Sequence, residues 1–248
     1  MNSPNLIIET CGKANVVFTS KVNGFSQPPF DSLNVGLHVG DDSNDVKMNR
    51  RVIHSTLEKS FVDIPKLDKW LFLDQRHCDT IFEPDFKEYD EENLPISDAS
   101  ITSKKNTALV TMTADCGPLV VQCGNIMASI HASAKTVELG LIEKTINKIR
   151  SFDSNSQMYC LLGPCIHAEN YEYEQKYLDQ LANKLGEHIK SKTFDGKPAF
   201  NLPEAIQFEC EKFGADFRDL DIDTFSSKDY FSYRRDNLTG RQCTISWM

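Results

Sequence analysis

The sequence of 248 residues has no long apolar run, no excess of basic charge and no closely spaced cysteine pairs. Nothing in it approaches the roughly 18 consecutive apolar residues of a membrane span, so a membrane partner is not expected. Lys and Arg number 27 against 36 Asp and Glu, a formal net charge of -9. Binding a phosphate backbone requires clustered cations, which argues against nucleic acid or an anionic membrane surface as partner. A small phosphate-bearing ligand in a local basic pocket remains compatible with that balance. The opening stretch "MNSPNLIIET" has no basic region ahead of its short apolar run, so a secretory leader is not expected. The chain's 8 cysteines are scattered, and they read as reduced thiols of a cytoplasmic protein. A functional cysteine there is a metal ligand or a nucleophile rather than half of a disulfide.

What is present is an ordinary globular composition, 40% hydrophobic and 25% charged. Strand patterns occur at 15–22, 69–75, 107–112, 118–122, 125–130 and 158–162. Helical spacing covers 45–59, 136–150, about 172–190 and 203–214, the last opened by Pro203 and closed by Gly214. The acidic stretch 83–97 reads as a solvated loop, and the tail from Asp229 reads as two strands around a loop ending in Gly240. Strands and helices mix without regular βαβ alternation, which predicts an α+β fold with mixed sheets flanked by helices. No repeat, low-complexity tract or composition break divides the chain, so 1–248 is expected to form a single domain.

"TADCGPLVV" (113–121) places Cys116 just ahead of a strand, and "PLVVQCGNIMASIH" reads as a hairpin. With a Cys123-Gly124 turn, Cys116 faces His131 across the strands; with Gly124-Asn125, His131 becomes its diagonal neighbour on the same face. A three-residue loop would turn His131 to the other face. A Cys–His pair has two chemical uses. The imidazole can activate a nucleophilic thiolate, or both side chains can ligate a transition metal. A core cysteine without chemistry is the third alternative.

Several ordered segments resemble the laccase-domain, or YfiH-like, family. They are "FTSKVNGFSQPPFDSLNVGLHVGDDSNDVKMNRRVI", "DQRHCDTIF", "SDASIT", "TADCGPLVV", "LGPCIHAENYEYE" and "YFSYRRDNLTGRQCTI". Members of that family have been labelled polyphenol oxidases and, later, purine nucleoside phosphorylases with adenosine deaminase activity. Carried over by position, the resemblance implies a YfiH-like fold and a zinc site of His77, Cys116 and His131. Three protein ligands leave a fourth position open, the arrangement of a catalytic rather than a structural zinc. The implied substrates are purine nucleosides, deaminated at C6 or cleaved with phosphate as nucleophile. A multicopper centre would need on the order of ten histidines, and the chain has 6. A lone copper in the same three ligands is the other metal that fits.

The resemblance is imperfect where the family has H-A-G-W-R-G and this chain has "HASAKT". Lys135 retains a cation without the arginine fork, and Ala134 removes an aromatic wall. Arg50 and Lys135 are the leading phosphate-binding candidates because they match basic family positions. Gln75 is a candidate substrate hydrogen-bond donor. Arg76, Arg234, Arg235 and Arg241 are weaker anion-binding candidates, Asp79, Asp98 and Asp115 weaker proton carriers, and Cys165 with His167 a weaker metal pair. His38, His54 and His188 read as structural or surface residues. Two alternatives to the zinc enzyme remain: a metal-free cysteine hydrolase or deamidase with a Cys116–His131 dyad, and a metal-binding descendant without catalysis.

Overall fold

The computed structural model describes residues 3–84 and 93–248. Two mixed sheets pack against one another. The first, among the described residues, orders its strands as β1 (Leu6–Cys11), β2 (Ala14–Thr19), β13 (Gln242–Trp247), β6 (Ala108–Thr113) and β3 (Trp70–Leu71). The second runs β12 (Asp216–Asp219), β9 (Met158–Leu162), β7 (Gly117–Cys123), β8 (Ile126–Ala132), β5 (Ala99–Thr102) and β4 (Ile81–Phe82). A small ribbon pairs β10 (Lys190–Lys192) with β11 (Pro198–Phe200). The helices are α1 (Ser43–Leu57), α2 (Ala134–Glu138), α3 (Leu141–Phe152), α4 (Gln175–Leu185), α5 (Leu202–Glu211) and α6 (Tyr233–Asp236). This is the mixed-sheet α+β architecture that the sequence predicts. No helix among the described residues is long and apolar enough to cross a membrane.

Alternation along β7 explains the layering. Leu119 and Val121 share a core with Ile142, Ile146 and Ile149 of α3 and with α4 and α5. Val120, one residue out of phase, faces the other sheet and packs with Val16 and Phe18. Where the sheets meet, the hydroxyls of Thr111 and Ser129 hydrogen-bond at 2.6 Å, which satisfies both buried groups.

The hairpin pairs Cys123 with Ile126 and Pro118 with His131, so of the two-residue turns that the sequence allows, Gly124-Asn125 is the one formed and Cys116 is the diagonal neighbour of His131. Gly124 stands at φ +60, a conformation that the first central position of a II′ turn demands and glycine supplies. The helix expected over 136–150 is broken at Gly140, φ +75, into α2 and α3. In the tail only β13 is a strand. The other expected strand is replaced by α6, because the Ser232 hydroxyl caps the backbone N–H of Arg235. Of the acidic loop 83–97, residues 85–92 lie outside the described residues.

The segment leading into α1 is held by one amide. Buried Asn49 accepts from the Phe25 N–H at 2.8 Å and donates to Ser26 Oγ, Ser32 O and Asn34 O at 2.9, 3.1 and 2.8 Å. Asn49→Ala leaves the Phe25 donor and buried carbonyls without partners. It is expected to lower stability by about 2–4 kcal/mol, read as a reduced urea midpoint at unchanged slope.

Candidate metal centre

The three potential ligands come from three places that local sequence holds rigid. His131 lies near the end of β8, Cys116 in the turn between β6 and β7, and His77 in the loop after β3. Their ligating atoms all lie within 4.8 Å of one another, and they form the one such His/Cys/Asp/Glu group found among the described residues. His77 Nε2 is 3.9 Å from Cys116 Sγ, and the two imidazole centroids are 5.0 Å apart. His131 is buried, Cys116 partly exposed and His77 exposed, so the group is open on one side.

Asp98 organises two of the three. Its Oδ1 accepts from His131 Nδ1 at 2.6 Å, which directs Nε2 of that ring toward the other ligands. Its Oδ2 accepts from the backbone N–H of Arg76 at 3.1 Å and of Cys78 at 2.7 Å. Those amides flank His77, which sits at φ +57, a left-handed conformation costing roughly 1–2 kcal/mol for a residue with a Cβ. Asp115 serves Cys116 in a similar way. Its carboxylate accepts from Thr224 Oγ1 at 2.8 Å and from the Arg234 N–H at 2.6 Å, tying the turn to the C-terminal segment.

Electrostatics favour the deprotonated thiol. Burial pushes Cys116 up, but the imidazoles of His131 and His77 outweigh it and bring it down to about 6. Burial pushes His131 down, and the Cys116 charge with the Asp98 carboxylate lifts it to about 9. The donor set of two imidazoles and one thiolate, with the Asp98 carboxylate orienting one imidazole, suits a single zinc or copper ion. A multicopper cluster does not fit. Of the 6 histidines, His54 is bonded to Pro65 O and packed on Trp70, His167 lies near Asp221, and His188 stacks on Phe208.

The triad opens into a cavity of about 430 Å³ that also presents Gln75, His38, Tyr233 and Arg241. Gln75 is brought to the site, but its amide exchanges hydrogen bonds of 2.8 and 2.9 Å with the Met112 backbone. Arg50 is not among the residues lining this cavity; its buried guanidinium donates to Val35 O and stacks 3.7 Å from the Phe72 centroid. Lys135 lies on α2, paired with Glu138 at 2.8 Å. Asp79 is paired with Lys144 of α3, and Cys165 is fully buried. His38 and Arg241 are the residues that sequence reasoning undervalued. His38 lies between Gly36 and Gly40 and Arg241 follows Gly240, both far from the triad in sequence, which periodicity does not reveal.

Residues 15–248 match the family described as multi-copper polyphenol oxidoreductase laccase. The chain belongs to that family. Among relatives with assigned names, it is 29% identical over 236 residues to a purine nucleoside phosphorylase of Corynebacterium glutamicum, covering 94% of this chain and 93% of the relative. A purine nucleoside phosphorylase of Pseudomonas aeruginosa is 28% identical over 237 residues, covering 93% and 91%. Among solved structures, YfiH of Bacillus licheniformis superimposes with a TM-score of 0.87 at 25% identity, covering 100% of this chain and 97% of that one. A DUF152 protein of Neisseria meningitidis gives 0.83 at 25% identity, covering 98% and 99%. The laccase-like family description and the phosphorylase names thus meet on one fold.

Two measurements test this geometry. In metal-free protein, alkylation of Cys116 by iodoacetamide is expected to accelerate as pH rises through about 6, well below the roughly 8.5 of an ordinary thiol. The lowered value means that thiolate is present above it and lost below it. Asp98→Asn is expected to weaken zinc binding about 10- to 100-fold by freeing the His131 ring and loosening the His77 loop, measured by competition with a chelator.

Proposed function

We propose that this protein is a cytoplasmic zinc-dependent enzyme acting on purine nucleosides, by phosphorolysis, by adenosine deamination, or by both. The observation that carries the reading is the open His77–Cys116–His131 group, facing a cavity in a chain whose relatives are named purine nucleoside phosphorylases. When bound, zinc supplies Lewis-acid activation of the attacking nucleophile at neutral pH. The protein's own part is to hold and orient. Asp98 fixes the His131 tautomer. Arg241, anchored on Thr239 O and Gly240 O, turns a cationic side chain to the cavity, where it can orient a purine carbonyl or a phosphate. Burial and the nearby Arg241 charge hold the His38 imidazole below its ordinary value, so this ring is neutral and able to accept a proton from substrate. The free state of all eight cysteines supports the cytoplasmic assignment.

A metal-free reading uses the same geometry differently, with Cys116 as nucleophile and His131 as base. The depressed Cys116 thiol is the observation in its favour. Elemental analysis separates the two. Protein purified without added metal is expected to carry about one zinc per chain, lost in Cys116→Ser. It is further expected to convert adenosine or inosine with activity abolished in His77→Ala. Absence of zinc even after reconstitution, or full activity in His77→Ala, would favour the cysteine dyad instead.

A further inference from the structure

Tyr230, Phe231 and Ser232 are buried, whereas the next residue, Tyr233, is 56% exposed. Its ring lines the triad cavity, where it is the one phenyl-type side chain among the described residues, and Met112 and Ala114 add apolar lining. The Tyr233 hydroxyl makes no hydrogen bond among the described residues. Packing therefore does not set the ring's position, yet the backbone that carries it is held on both sides. Ser232 Oγ accepts from the Arg235 N–H at 3.2 Å, and the Arg234 N–H donates to Asp115 Oδ2 at 2.6 Å. The Arg235 guanidinium donates to the carbonyls of Thr224, Phe225, Ser227 and Tyr230 at 3.0, 2.8, 3.1 and 2.8 Å. Asp115 immediately precedes Cys116, so the bond that seats α6 also ties the aromatic ring to a proposed metal ligand.

We propose that Tyr233 is the ring-stacking residue of the triad cavity and receives the planar base of a purine nucleoside against its face. An aromatic face offers a π-surface to any planar heterocycle, and stacking of this kind is a strong source of base binding. A ring on a fixed backbone also costs little to order, because an aromatic side chain has few torsions to freeze. Reading of the base edge by the neighbouring Gln75 is restricted, since its amide oxygen and nitrogen are both bonded to the Met112 backbone. The base as occupant rests on the function proposed above. A phenolic ring, the class named in the family's description, would meet the same face by the same chemistry.

Calorimetric titration of the zinc-reconstituted protein with inosine, ribose and catechol, in buffer free of phosphate, tests this without requiring turnover. Tyr233→Ala is expected to weaken inosine about tenfold or more at unchanged zinc content, and Tyr233→Phe to stay within about twofold of wild type. Ribose has no aromatic face, and its binding should be the same in all three proteins. The chain's own Trp70 and Trp247 are buried, so the indole introduced by Tyr233→Trp is an exposed reporter whose fluorescence bound inosine should change. Phe194→Ala, which removes an exposed ring from the loop between β10 and β11, should leave inosine binding as it is. The proposal is overturned if neither inosine nor catechol binds wild type, or if Tyr233→Ala binds both as tightly as wild type does. It is equally overturned if Phe194→Ala weakens them as much, or if bound inosine leaves the indole emission unchanged. Failure of the nucleoside reading would appear separately, as catechol bound through Tyr233 while inosine does not bind.

Discussion

Asp98 accepts from the His131 ring with one oxygen and from the amides on either side of His77 with the other, so one carboxylate fixes two ligands from separate elements. The arrangement works only because the carboxylate is buried. Its side chain has 0% exposure, leaving no water to compete for its lone pairs. Burial alone would raise the Asp98 carboxyl, but the hydrogen bond and charge of His131 and the Cys78 N–H hold it below its ordinary value. An ionised Asp98 then raises the basicity of His131, which in turn favours the thiolate of Cys116. The chain from carboxylate to imidazole to sulfur is therefore electrostatically self-consistent before any metal arrives.

That same chain explains why a zinc ligand and a nucleophile are hard to tell apart from chemistry alone. Both roles need a thiolate at neutral pH, and both are served by an adjacent imidazole. His77 is what supports the proposed metal-ligand role, because a Cys–His dyad gains little from a second imidazole 3.9 Å from the sulfur. The backbone around His77 accepts a left-handed conformation, opposed by the two Asp98 hydrogen bonds, to put that ring there. Stored strain of this kind is characteristic of functional positions rather than of packing.

Local chemistry made much of this legible in the sequence. The strand pattern of 118–122 and 125–130, with a glycine between, placed His131 and Cys116 on one face, and two-residue turns in either register preserve that relation. The choice of register was not legible, because Cys123-Gly124 and Gly124-Asn125 are both reasonable turn pairs and a shift of two residues leaves every side chain on the same face; the pairing of Cys123 with Ile126 decides it. Gly140 was hidden inside an unbroken apolar periodicity, since Leu141 and Ile142 keep helical phase across the break. Arg50 illustrates a different limit. A basic residue at a matching family position reads as a ligand for phosphate, yet its burial and its bond to Val35 O are tertiary facts.

The altered stretch "HASAKT" gains a physical explanation from the same geometry. Ser133 and Thr136, standing at two glycine positions of the family pattern, form a capping box that starts α2. Thr136 Oγ1 also donates to His131 O at 2.9 Å. Hydroxyls here replace conformational freedom with fixed hydrogen bonds directly behind a ligand, so the change tightens the support of His131 rather than eroding it. Ala134, the first residue of α2, is buried in the core with Leu141 and Ile142 of α3. The aromatic side chain in contact with α2 is Tyr177, whose hydroxyl donates to Glu138, while Tyr233 lines the triad cavity. Where the family pattern has glycines, two hydroxyls thus brace the strand end that carries His131.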